Sequence, residues 1–224
     1  MYVIGPGDLA LLERFYRDVY LPAFAHQREP LEAWTTRLVT PDAAYEHTIV
    51  LAGQDLDDAA RGRIDGGVVF ERYPRSRCGF VTYLVVSPAS RRGGLGTELL
   101  RHACAALRAR GVALIVAEVH DPDQADDREV ARRRVAFFEA RHARVLDVAY
   151  VQPDLGAGLG RDHALRLLAL FDGAPPPFVD GKVVRAFVAE LYDAVEGGHD
   201  DVATRAMLEA IGPRVATLPS GTFG

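Results

Sequence analysis

The stretch "SPASRRGGLGTELL" (87–100) constrains this chain more than any other. Before it stands "GFVTYLVV" (79–86), a β-branched and aromatic run that reads as a buried strand. After it Leu95, Leu99, Ala103 and Ala106 recur at helical spacing, and Gly111 stands where a helix C-terminal cap belongs. Three glycines and two arginines therefore fall at a strand-to-helix turn. The first N–H groups of a helix lack intrahelical acceptors, and the helix dipole favours negative charge there. Glycine lets a bulky anion approach the backbone, and arginine adds fixed positive charge. The turn is suited to holding a phosphate.

Two familiar phosphate loops do not fit it. A Walker A loop needs Gly-Lys-Ser/Thr, which is lacking, and "RRGGLG" does not match G-x-G-x-x-G. The spacing that is met is Arg/Gln-x-x-Gly-x-Gly/Ala, through Arg91, Gly94 and Gly96.

The rest of the chain reads as one α/β domain followed by helices. Residues 2–4 form a short strand, and Asp8 caps a helix to about Tyr20 with Leu9, Leu12, Phe15, Tyr16 and Val19 on its apolar side. Pro30 starts a second helix with Leu31, Trp34 and Leu38 buried. Strands follow at 47–53 and 64–73, then the strand–turn–helix already described, then a strand at 112–120. The acidic loop "DPDQADD" leads into a helix from Arg128 to His142, and strands are expected at 144–151 and 163–170. "DGAPPP" (172–177) breaks the pattern. Beyond it Val184, Phe187, Val188, Leu191 and Val195 mark an amphipathic helix ended by Gly197 and Gly198, with a shorter helix at 201–211 and a tail expected to be loose. The helical stripe is expected to bury against its own chain or across a homodimer interface. This order gives two segments, a domain at 1–171 and a Pro-rich linker, helical extension and tail at 172–224.

Composition narrows the classes. Hydrophobic residues make up 49% of the 224 and charged residues 25%, ordinary for a globular protein. A net charge of −5 argues against general nucleic-acid binding. No apolar run reaches the roughly 18 residues of a membrane span, and the N-terminus lacks a signal-peptide pattern, so a cytoplasmic protein is expected. Cys78 and Cys104 are too few for a disulfide framework or a zinc site, and no metal is expected. Lys182 is the sole lysine among many arginines, which suggests a GC-rich bacterial coding sequence.

The pattern at Arg91, Gly94 and Gly96, preceded by "YLVVSPAS", resembles the acetyl-CoA-binding signature of the GNAT family of N-acetyltransferases. The resemblance covers about residues 1–171 and implies the GNAT fold: a mixed, mostly antiparallel central sheet flanked by helices. It implies that Leu84, Val85 and Val86 offer backbone groups to the pantetheine arm, as a sheet edge pairs with an added strand. It implies that Arg91, Arg92, Gly93, Gly94, Leu95, Gly96 and Thr97 cradle the pyrophosphate. The strand at 112–120 would splay from 79–86 to admit the thioester.

"AEVH" (117–120) is similar to the "LEVR" strand of the branch that acetylates protein N-termini, whose glutamate is a general base. Glu118 matches that position, and His120, two residues on, shares its strand face. An ion pair with one of the arginines is the other explanation for these side chains. The family's fourth helix usually carries a tyrosine that protonates the departing CoA thiolate, but this chain has "FFEARHAR", with Phe138 at that position. Tyr150 and Tyr83 are substitutes for it, or packing residues. Cys104 reads as a core filler, and Tyr16, Tyr20 and Trp34 as core or as the wall of a substrate cleft. "GAGLG" (156–160) is a loop that touches a ligand or merely connects strands, and "YVQPDL" (150–155) is the expected substrate loop. The acidic 121–129 loop hints at a cationic acceptor. The expected function is transfer of acetyl from acetyl-CoA to a small-molecule or peptide amine. Other acyl donors, or a non-catalytic acyl-CoA-binding module of the same fold, stay open at this level.

Overall fold

The computed structural model describes residues 1–24, 29–40, 44–156 and 160–219. Its contacts divide the chain into two compact units, Met1–Arg72 with Val81–Gly111, and Tyr73–Phe80 with Val112–Gly224.

The first unit holds, side by side, β1 (Tyr2–Val3), β2 (Glu46–Gln54), β3 (Arg63–Tyr73) up to Arg72, and β4 (Cys78–Val86) from Val81 onward. β1–β2 and β2–β3 are antiparallel pairs. Helix α1 (Leu9–Phe15) continues as a π-helical turn, Tyr16–Tyr20, and α2 spans Leu31–Val39. Their aromatic residues are core: Phe15, Tyr20 and Trp34 are fully buried, and Trp34 packs its ring on Tyr20 and Tyr83 at 4.6 and 5.5 Å. Tyr83 therefore belongs to an aromatic cluster.

Two expectations for α1 need correction. The Asp8 side chain does not cap the helix; it accepts hydrogen bonds from the Gly5 N–H at 2.8 Å and the Tyr2 hydroxyl at 2.9 Å, closing the preceding turn. Leu9 is exposed, and Leu11 is buried beside Leu12 and Phe15. Helix α3 (Leu95–Ala109) buries Leu99, Leu100, Ala103, Cys104 and Leu107, and Gly111 beyond its end takes a left-handed φ of 72°.

The second unit orders its strands β5 (Leu114–His120), β7 (Leu165–Leu170), β6 (Ala143–Leu146), β9 (Arg214–Leu218) and β8 (Phe178–Asp180). All four neighbouring pairs are antiparallel. Helix α4 (Arg128–Glu139) stops short of His142, which adopts a left-handed φ of 62°. β6 also ends early. Val148 N–H donates to the Leu146 carbonyl and Tyr150 N–H to the Val148 carbonyl, both at 2.9 Å, so two three-residue turns bend the chain where a strand was expected.

The C-terminal residues are built into this unit. Helix α5 (Gly181–Glu196) buries Val184, Phe187, Val188 and Leu191, with Val195 half-buried, and the Phe187 ring meets Tyr73 and Phe80 edge-on within the same chain. The buried Glu190 carboxylate accepts the backbone N–H groups of Arg75 and Ser76 at 2.9 and 2.8 Å, closing the turn between β3 and β4. Helix α6 (Val202–Ala210) is capped by Asp201. The tail expected to be loose is, over 214–218, strand β9. It pairs with β6 and β8, where its N–H and C=O groups find partners that no local pattern announces. Among the described residues no helix is long and apolar enough to cross a membrane.

Candidate active site

In the first unit β4 leads into a 3-10 turn, Pro88–Ser90, and then into α3. Gly66 of β3 allows the close approach that sets this up: a Cβ there would lie 2.6 Å from the Val85 carbonyl oxygen. Next to it Asp65 ties down the turn. Its carbonyl accepts the Ser87 N–H at 2.9 Å, and its carboxylate accepts the Ser90 hydroxyl at 2.7 Å and Arg63 at 3.0 Å. The Arg63 and Ser90 donors hold the Asp65 carboxyl below its ordinary pKa.

The turn is exposed from Arg91 to Gly94, and Arg92 and Gly94 both take left-handed φ values, 68° and 83°. A Cβ on Gly94 would meet nothing within 4 Å, and one on Gly93 only the Ser90 carbonyl at 3.9 Å. The Gly94 carbonyl accepts the N–H groups of Thr97 and Glu98 at 2.9 and 3.1 Å, so α3 begins here. The amides of Leu95 and Gly96 precede the first intrahelical bond. Open space, helix start and two arginines thus coincide. The fit to a pyrophosphate is that a bulky anion needs room against bare backbone, and the glycines leave it. Arg91 Nε donates to the Val86 carbonyl at 3.2 Å; Val85 is buried, and Leu84 and Val86 are half-buried.

In the second unit Glu118 and His120 lie two residues apart on β5, opposite Leu167 and Leu165 of β7. The bent segment after β6 brings two side chains to the Glu118 carboxylate: the Tyr150 hydroxyl donates to Oε1 and the Gln152 amide to Oε2. Tyr150 is only 4% exposed, and burial, with the Glu118 charge second, pushes its phenol pKa well up. The phenol therefore stays protonated and remains a donor to the carboxylate. Gln152 is joined by two backbone hydrogen bonds to Asp162, and an Asp162 carboxylate oxygen lies 3.7 Å from His120 Nε2. Burial lowers the His120 pKa while the Asp162 charge opposes it, so the ring favours its neutral form.

Tyr150 and Glu118, 32 residues apart, are thus brought together, and His120 lies toward Asp162. Phe138 is 9% exposed, packed edge-on to Phe137. In the acidic loop Asp121 is buried and accepts Arg166 at 2.8 Å, and Asp127 caps α4 through the Val130 N–H. Those two acids have structural partners, which weakens the hint of a cationic acceptor. Residues 157–159 of "GAGLG" lie outside the described residues. Asp65 and the amide of Gln152 escape notice in the sequence: neither sits in a motif, and each reaches at least one residue 22 or more positions away.

Residues 11–137 match the family model described as the acetyltransferase (GNAT) family. Among solved structures, the chain is similar to an acetyltransferase of the GNAT family from Bacteroides thetaiotaomicron, at 19% identity and a TM-score of 0.64, over 88% of this chain and 99% of that one. The ribosomal-protein-S18-alanine N-acetyltransferase of Escherichia coli matches at 16% identity and a TM-score of 0.48, over 75% and 92%. Diaminobutyrate acetyltransferase EctA of Paenibacillus lautus, solved with its substrate and coenzyme A, matches at 15% identity and a TM-score of 0.48, over 78% and 99%. No curated protein sequence matches the chain.

Proposed function

The chain belongs to the GNAT acetyltransferase family, and from that premise we propose that it transfers acetyl from acetyl-CoA directly to an amine, with Glu118 as general base. The observation that carries the donor half is the exposed turn at Arg91–Thr97, with left-handed Gly94 at the start of the 15-residue α3. Its amides and Arg91 would hold the pyrophosphate, and the backbone of Leu84, Val85 and Val86 the pantetheine arm. Acetyl-CoA supplies an acyl group activated as a thioester.

An amine near neutral pH is mostly protonated and attacks only after losing that proton. Glu118 takes the proton, directly or through one water, and the nitrogen lone pair then adds to the thioester carbonyl. Backbone N–H groups facing the thioester would steady the oxyanion. The C–N bond forms, the C–S bond breaks, the second proton of the nitrogen passes to solvent water, and CoA leaves as a thiolate stable enough to depart without an acid. Tyr150 is the positioning donor to Glu118 in this scheme, since its proton is directed at the carboxylate. His120, neutral and two residues away, is the alternate base. The acceptor is an amine of a small molecule or a peptide, and the protein a soluble cytoplasmic enzyme.

The test is thiol release from acetyl-CoA across a panel of amines and peptides, run beside calorimetric titration with acetyl-CoA. Amine-dependent release by the wild type and its loss in Glu118→Gln are expected. Tight acetyl-CoA binding with no release on any amine would overturn the catalytic reading in favour of a binding module, and near-normal release by Glu118→Gln would move the base to His120 or water.

A further inference from the structure

We propose that α5 and α6 act as a clamp that positions Glu118, through the residues flanking Tyr150 and Gln152; this rests on the reading of Glu118 as the base. Val151 lies between the two residues that hold the carboxylate, and its carbonyl accepts the buried Tyr192 hydroxyl of α5 at 2.9 Å. Two residues beyond Gln152, the Asp154 N–H donates to Glu196 Oε1 at 2.8 Å, at the end of α5. From the other side of the loop Arg161 Nε donates to the same oxygen at 2.9 Å, and its two terminal nitrogens reach the Asp201 carboxylate at 3.2 and 2.8 Å. The guanidinium also lies 4.9 Å from the centre of the Tyr192 ring. Next to Arg161, Asp162 pairs through its backbone with Gln152.

The arrangement fixes three points of the segment, Val151, Asp154 and Arg161, to one end of α5 and the start of α6. A shift of the Val151 carbonyl moves both Tyr150 and Gln152, and with them the donors to both oxygens of Glu118. The charged part of the clamp is partly solvated, with side-chain exposures of 27% for Arg161 and 45% for Asp201. Such pairs add little to global stability but set geometry when several share one fork. Gln152 and Arg161 are therefore positioning residues, and the C-terminal helices belong to the machinery of the base.

The test uses the full-length chain with [13C]tyrosine, the ring-carbon resonance of Tyr150 being assigned with Tyr150→Phe. Two variants, Arg161→Ala and Tyr192→Phe, cut the clamp at independent points. Asp201 is left alone because it also caps α6 through the Ala203 and Thr204 N–H groups. Backbone hydrogen exchange over 151–156 should be about tenfold or more faster in both variants. The Tyr150 resonance should move toward its position in Glu118→Gln, and Arg161→Lys should restore part of the shift. Unchanged exchange over 151–156 in both variants would overturn the clamp. Faster exchange with a stationary Tyr150 resonance would overturn its action on Glu118 and leave a plain tether. Near-normal acetyl transfer by Glu118→Gln would remove the base assignment instead, a failure seen in the kinetics and not in the resonance.

Discussion

The turn at 87–97 and the carboxylate at 118 are held by opposite means. The turn is made of backbone: a strand end, left-handed residues at 92 and 94, a helix start, and one carboxylate, Asp65, tying Ser87 and Ser90 beneath it. Glu118 is held by side chains, Tyr150 and Gln152, from a segment itself fixed by a residue 41 positions further on. A site made of backbone is robust to most substitutions and fragile at its glycines. A site made of side chains fails one donor at a time. The two should therefore answer differently to mutation.

The largest expected effects separate the two cleanly. Glu118→Gln should lower kcat by about 10²-fold or more with acetyl-CoA affinity barely changed. Gly94→Asn should do the reverse, weakening acetyl-CoA binding about tenfold or more. Asparagine tolerates the left-handed φ of 83°, so the fold survives while a side chain enters the open space. Calorimetry and steady-state kinetics on both variants check this, and unchanged acetyl-CoA affinity in a folded Gly94→Asn would break the comparison at its donor end.

Tyr150→Phe comes next. It removes one hydrogen bond to a charged group, worth roughly 1.5–3 kcal/mol, and should reduce kcat about tenfold while the acetyl-CoA KM stays put. An equal loss after Tyr83→Phe, in the other unit's aromatic cluster, would show that the effect is packing and not position.

Acid should then loosen the two regions unequally. Arg161 holds the carboxyls of Glu196 and Asp201 below their ordinary values, with Thr204 adding to the effect at Asp201. A depressed folded-state pKa means that the unfolded chain takes up protons first. The stability these groups give is present above the ordinary values of 4.5 and 3.8 and is lost as pH falls below them. As pH falls below those ordinary values, hydrogen exchange should speed more over 151–156 than over 95–100. The smallest effect belongs to Phe138→Tyr, expected to leave kcat within about twofold because no acid is needed for thiolate release. A marked gain in kcat would show that release is limiting and that this chain lacks a useful acid.

What the sequence determined by itself was local. Residues 79–100 carry their own strand period, turn glycines and helical stripe, so the turn and its chemistry can be read without knowing what lies beside them. The elements from β1 to α4 follow for the same reason, as does α5, whose apolar stripe repeats within one helix. Glu118 was legible only as a charged side chain on an apolar strand that matched a family position. Tertiary structure alone decided who its partners are, because Tyr150 and Gln152 reach it after the chain leaves the strand pattern at Leu146 in two tight turns. It also decided that 214–218 is a strand: five residues with ordinary loop composition become β9 because β6 and β8 offer them unpaired edges, and a hydrogen-bond ladder depends on neighbours that periodicity cannot see.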